Sequence, residues 1–159
     1  PVYRLSSDDL ENDYTLIGIH SNIEPYKLAF KINQKLKIHL KRCSYDISFK
    51  DKNSIFDLYK HSSETYNTKL YLILNKSFNE REIKGQLLFE NLSESSFLIP
   101  ELRKVEYFLK IEGGNFNIKT LLNRLIEIDN IISCYRTKIT AKKSKYNLIF
   151  EWWNSTKLK

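Results

Sequence analysis

Little in this chain permits disorder. In 159 residues there are four glycines and three prolines, too few for long linker or low-complexity segments. No apolar run approaches the roughly 20 residues that a membrane-spanning helix needs. The opening Pro1-Val2-Tyr3-Arg4-Leu5, followed by Asp8-Asp9-Leu10-Glu11, lacks the basic-then-apolar order of an export signal, so a cytoplasmic protein is expected. Two cysteines, Cys43 and Cys134, are too few for a structural zinc site, and the three histidines are scattered. In a reducing compartment both read as plain thiols. There is no phosphate-binding glycine loop, no H-E-x-x-H, no G-x-S-x-G and no C-x-x-C. The expectation is therefore no catalytic residue, no metal, no cofactor and no enzyme activity.

What is present is a globular balance of 42% hydrophobic and 28% charged residues, long enough for one domain with a true core. Net charge is +7. An excess of cations suits an anionic partner, and a Lys-rich, Asn-rich composition also follows from codon bias alone.

Periodicity divides the chain. Tyr14 to Ile19 is β-prone, and Ser21-Asn22-Ile23-Glu24-Pro25 then offers a helix start. Leu28, Ala29, Ile32 and Leu36 share one side of a helix over 26–36. Alternation predicts a strand over 39–49, bent near Ser44. Short strands over 55–60, 69–74, 87–89 and 97–99 read as an antiparallel meander. A strand over 105–111 ends at Gly113-Gly114, a tight turn because glycine accepts positive φ. A helix over 115–128 and a strand over 132–139 follow. Two strand–helix–strand units, one passing Cys43 and one passing Cys134, form a pseudo-repeat. The expected fold is α+β: one domain, a mostly antiparallel sheet with two helices on one face, and two pseudo-repeated β-α-β units around a β-meander. A ferredoxin-like or ACT-like order is one version. The domain is expected over 13–150, with an extension over 1–12 and a tail over 151–159.

The segment Ile99-Pro100-Glu101-Leu102-Arg103-Lys104-Val105-Glu106-Tyr107 resembles the signature of the IPExxxVDY family, with Glu106 where that family writes Asp. Asp13-Tyr14-Thr15-Leu16-Ile17-Gly18-Ile19, Tyr26-Lys27-Leu28-Ala29 and Lys145-Tyr146-Asn147-Leu148-Ile149-Phe150 resemble other family segments. The resemblance implies a small protein of Bacteroidetes-type bacteria, and it implies no reaction. The motif residues Ile99, Pro100, Glu101, Val105, Glu106 and Tyr107 read in two ways. In one, Glu101 and Tyr107 present a recognition surface, or Glu101 and Glu106 converge as acid and base. In the other, Pro100 stops a strand, Glu101 accepts backbone N–H groups at the turn, and Tyr107 packs.

Two acid-free basic clusters are candidates for nucleic-acid binding. The first holds Lys27, Lys31 and Lys35, four apart on one helix row, with Lys41 and Arg42. The second holds Arg136, Lys138, Lys142, Lys143 and Lys145. Phe30 and Tyr135 are candidates to stack on bases. A solvated lysine face is the plain alternative. Trp152 and Trp153 in the tail either cover the core or anchor a partner. The sequence thus favours a binding or adaptor protein with an unidentified protein partner. RNA or DNA binding through the lysine clusters comes second, and a small-molecule-sensing regulatory domain third.

Overall fold

The structure is a computed structural model that describes residues 14–49, 54–79 and 96–149. The Tyr14–Ser21 run forms β1, and Pro25 then occupies the first turn of α1, Pro25–Leu36. Helix α1 ends where Lys37 turns left-handed, φ 59°. There follow β2 (Lys41–Arg42), β3 (Ile47–Phe49), β4 (Ser54–Phe56), β5 (Leu58–Ser63), β6 (Thr68–Leu74) and β7 (Phe78–Asn79). A 3-10 turn over Pro100–Leu102 precedes β8 (Tyr107–Gly113), α2 (Ile118–Ile126), β9 (Ile131–Thr137) and a short helix α3 (Lys142–Tyr146).

Among the described residues these strands make a six-stranded sheet, β2-β5-β6-β8-β1-β9, and a small sheet, β3-β4-β7. Every pairing is antiparallel. Strand β1 lies between β8 and β9, so β8-α2-β9 is a split β-α-β unit, and β9-β1-β8-β6 has the ferredoxin-like order. The fold is α+β, as the sequence led us to expect. The two strand–helix–strand units both exist but differ in span: three strands separate β1 from β2, and one separates β8 from β9.

Both faces of the sheet are covered, which is why its central strands read as near-continuous apolar runs. On one face Leu28, Ala29 and Ile32 of α1 and Leu121 and Leu125 of α2 pack on Ile17, Ile19, Leu72 and Leu109. On the other, Leu16, Tyr71, Ile73 and Phe108 meet Ile47 and Phe56 of the small sheet, Leu98, Ile99 and Val105 of the motif, and Ile139 and Leu148. Helices α1 and α2 thus share one face, and Ile99 and Val105 of the motif pack on the opposite one while Tyr107 reaches the helix face.

Several sequence expectations need correction. The strand expected over 39–49 is two strands in different sheets, divided at Cys43–Asp46. The strand over 55–60 likewise divides at Asp57, where the chain crosses between sheets. Arg42 Nη2 holds both breaks, at 2.7 Å from Asp46 and 3.1 Å from Asp57. Segment 97–99 makes one isolated bridge, Phe97 to Lys76, because the N–H of Ile99 is taken by a side chain. β8 begins at Tyr107 because the N–H of Val105 closes the preceding turn on Leu102 O. The middle of the chain is therefore no single meander. The strand expected over 87–89 lies outside the described residues.

Candidate functional site

The motif is built around Asn75, a fully buried residue directly after β6. Its Nδ2 donates to Leu102 O (3.0 Å) and Val105 O (2.9 Å), and its Oδ1 accepts from Ile99 N–H (2.9 Å). Its backbone N–H donates to Glu106 O, and its carbonyl accepts from Leu98 N–H. Ile99 and Val105 are core residues, and Pro100 opens the 3-10 turn. Tyr107 is buried and donates its hydroxyl to Ile23 O, so it presents no surface. Burial holds its phenol above the ordinary range, with the Asp57 carboxylate adding to the shift. The two carboxylates take separate partners. Glu101 accepts no turn N–H; its Oε2 receives Ser144 Oγ of α3 at 2.7 Å. Glu106 Oε2 meets His20 Nδ1 at 3.0 Å.

The basic residues separate as well. Lys41 and Arg42 lie on β2, at the sheet edge opposite β9, across about 24 Å at ordinary strand spacing. On α1, Lys27 pairs with Glu24 at 3.0 Å and Lys35 pairs with Glu127, so two of the three cations of that row are neutralised. Phe30 is exposed on the same helix. The first cluster is therefore a solvated helix face and a sheet edge.

The second cluster makes a cleft of about 700 Å³ at the carboxyl ends of β8 and β9. Arg136, Lys138 and Lys145 line it, with Tyr14, Thr15, Thr137, Thr140, Asn115 and Phe116, and among the described residues no carboxylate does. None of the three cations has an ion-pair partner among the described residues. Lys142 and Lys143 stand exposed on α3 beside Lys145. The floor exists because Gly113 (φ 66°) and Gly114 (φ 70°) turn the chain from β8 toward α2. Asn117 then caps α2 by accepting Thr120 N–H at 3.0 Å.

A second constellation was not legible in sequence. His20, at the end of β1, sits between Glu106 and Tyr135, with its Nε2 at 3.0 Å from the Tyr135 hydroxyl. A shallow cavity of about 410 Å³ opens against His20 and Glu106. His39 and His61 instead bond each other, His39 N–H donating to His61 Nδ1 at 3.2 Å. Cys43 and Cys134 are free, and partial burial raises both thiols. Among the described residues no group of three His, Cys, Asp or Glu side chains forms a metal set. No helix there is long and apolar enough to cross a membrane. Trp152 and Trp153 lie outside the described residues. No family model matches the chain, and no curated protein matches it in sequence.

Proposed function

We propose that this chain binds single-stranded RNA in the cleft at the carboxyl ends of β8 and β9. The observation that carries the reading is the gathering of Arg136, Lys138 and Lys145 around one opening that no carboxylate lines among the described residues. Like charges held together without counter-charge repel, and a phosphate backbone relieves that repulsion while releasing its own counterions. Phe116, partly exposed at the rim, offers a stacking platform, as single-strand binders use. Lys142 and Lys143 extend the basic surface along α3. A cytoplasmic location and membership of the IPExxxVDY family belong to the same proposal, the latter supported by the motif spacing and by the single packed unit the motif makes. The adaptor reading rests on the lack of a catalytic signature, the compact α+β reading and the apolar tail with Trp152 and Trp153, and no described feature favours it over the cleft.

The test is fluorescence anisotropy with a 5′-labelled, mixed-sequence single-stranded RNA across a salt series. Three to five neutralised phosphates give a slope of roughly −2 to −3.5 in log K against log[salt]. Combined Arg136→Gln, Lys138→Gln and Lys145→Gln changes should flatten that slope and weaken binding at least tenfold. Lys31→Glu on α1 should leave it unchanged. Absence of binding at 50 mM salt, or equal loss from Lys31→Glu, overturns the reading.

A further inference from the structure

We propose that Tyr135, His20 and Glu106 form an acid–base site that cuts the bound RNA by internal transesterification, an inference that rests on the RNA reading above. The geometry begins with an absence. In the antiparallel β1–β9 register Gly18 faces Tyr135 and His20 faces Ser133. A Cβ on Gly18 would stand 3.3 Å from Val105 Cγ1 and 3.5 Å from the Tyr135 ring. With no side chain there, the Tyr135 ring has room beside β1 and brings its hydroxyl to His20 Nε2. The two rings sit 5.6 Å apart, tilted by 32°.

Both imidazole nitrogens are engaged, and this sets the proton inventory. A carboxylate only accepts, so Nδ1 carries a proton toward Glu106. In the neutral ring Nε2 is then a lone pair, and the Tyr135 hydroxyl donates to it. The result is a hydroxyl backed by a base, the base oriented by a third group, within the 2.6–3.2 Å reach that activation requires. A purely structural pin of β9 to β1 would need none of these three titratable groups at a partly exposed edge. Here His20 and Glu106 border an opening, Tyr135 is exposed beside His20, and the backbone of Glu106 is fixed by Asn75.

The site also lies on the path from the cleft. Leu16 and Thr137 line the cleft and face each other in the register. Tyr135 is two residues from Thr137 and shares its face, about 7 Å along the strand; His20 is four from Leu16, about 13 Å. Arg136 alternates to the opposite face of β9, so an RNA strand that leaves the cleft along Thr137, toward Tyr135, does so on the Leu16 side of the sheet.

The step needs no oxidant, reductant or second substrate. The ribose 2′-OH gives its proton to Tyr135 Oη as Tyr135 passes its own to His20 Nε2. The 2′ oxygen attacks the neighbouring phosphorus, and the P–O5′ bond breaks. The leaving 5′ oxygen takes a proton from solvent, and His20 returns its extra proton to solvent. The products are a 2′,3′-cyclic phosphate and a 5′-hydroxyl. Tyr135 is the group that touches substrate, and Glu106 is a positioning residue that stabilises the imidazolium.

The experiment uses the full chain in EDTA with the same labelled RNA, its 2′-O-methyl form and the matching DNA. Binding is read by anisotropy and cutting by gel with end-group analysis. The unmodified RNA should be cut to cyclic-phosphate ends, and the 2′-O-methyl RNA should bind and stay whole. Tyr135→Phe and His20→Ala should each slow cutting at least 100-fold with Kd and melting temperature held. Glu106→Gln should slow it at least tenfold, and Glu106→Asp should restore most of the loss. RNA that is bound but uncut, or cutting unchanged in Tyr135→Phe, overturns the inference and leaves the binding reading standing. RNA that is not bound overturns both.

Discussion

Asn75 Oδ1 accepts the backbone N–H of Ile99 at 2.9 Å, in a place where both residues are fully buried. That bond takes the donor a strand over 97–99 would have used, and the same side chain satisfies Leu102 O and Val105 O. The motif is thereby a folded cassette clipped to the end of β6. Asn75→Ala strips three partners at once. Buried backbone groups left unpaired cost about 1–3 kcal/mol each, so a loss of roughly 3–5 kcal/mol is expected in urea unfolding. Asn75→Asp keeps the acceptor but sets a carboxyl oxygen against Leu102 O and Val105 O in a buried site, and should cost at least as much. A loss below 1 kcal/mol for Asn75→Ala would show that water replaces the side chain.

How far the sequence went is plain from such residues. The helical stripe Leu28, Ala29, Ile32 and the alternation through β8 announced themselves because their period is local. Gly113-Gly114 was readable as a turn for the same reason: φ > 0 is a property of the residue. Asn75 was silent because its partners stand 24 to 30 residues away. His20 was silent because Glu106 and Tyr135 are 86 and 115 residues distant. The second basic cluster was visible as composition. The cleft it lines was not, since strand pairing places Tyr14 and Thr15 beside Arg136 to Thr140. The paired lysines of α1 were misleading because one acid, Glu24, stands just before the helix and the other, Glu127, is 92 residues away.

Tyr107 links the motif to alkaline stability. Its folded pKa lies above the ordinary value near 10 because burial opposes the phenolate. Below pH 10 both folded and unfolded states keep the proton, and the stabilising contribution is complete. As pH climbs past 10, the unfolded chain releases its proton first. It then binds fewer protons than the native state, and stability falls with pH up to the folded value. Tyr14 and Tyr59 shift in the same direction. Tyr107→Phe should cost about 1 kcal/mol at pH 7 through the lost bond to Ile23 O. It should also make the decline between pH 10 and 11.5 shallower by up to about 1.4 kcal/mol per pH unit. An unaltered slope in pH-dependent melting would place the hydroxyl in water.

Gly113→Ala should be among the most harmful single methyl additions to this chain. A Cβ there would lie 2.2 Å from Asn67 O, backbone that cannot swing aside, at φ +66°. Left-handed strain alone costs on the order of 1–2 kcal/mol, and the clash adds to it. A melting temperature at least 5 °C lower is expected. A drop under 2 °C would mean the β6–β8 end yields.

Lys110 is a buried cation in β8 whose Nζ donates to Leu148 O at 2.8 Å and to Glu112, with the Tyr14 and Tyr71 rings 5.0 and 5.3 Å away. It ties the segment after α3 to the sheet. Lys110→Met keeps the stem and removes the charge, leaving Leu148 O and Glu112 without their cation. Breaking a buried pair costs roughly 3–5 kcal/mol. Here the lower end is expected, because the Glu112 side chain is 28% exposed and water can reach it. Hydrogen exchange should show faster loss of protection over 142–149 than over α1. Uniform loss would make Lys110 a general core residue and not a tether.

The cleft carries a cost of its own, and that cost separates function from fold. Arg136, Lys138 and Lys145 repel one another across an opening that no carboxylate lines among the described residues. Removing one charge should therefore stabilise the free protein while weakening RNA binding. Exposed charge interactions run to a few tenths of a kcal/mol, so Lys138→Gln should raise the melting temperature by about 1–2 °C at 20 mM salt. Near 1 M salt, where the Debye length is about 3 Å, the gain should vanish. A residue retained for packing behaves in the opposite way, losing stability at every salt concentration. Should Lys138→Gln destabilise the protein and leave RNA affinity intact, the cations belong to the scaffold, and the cleft is no binding site.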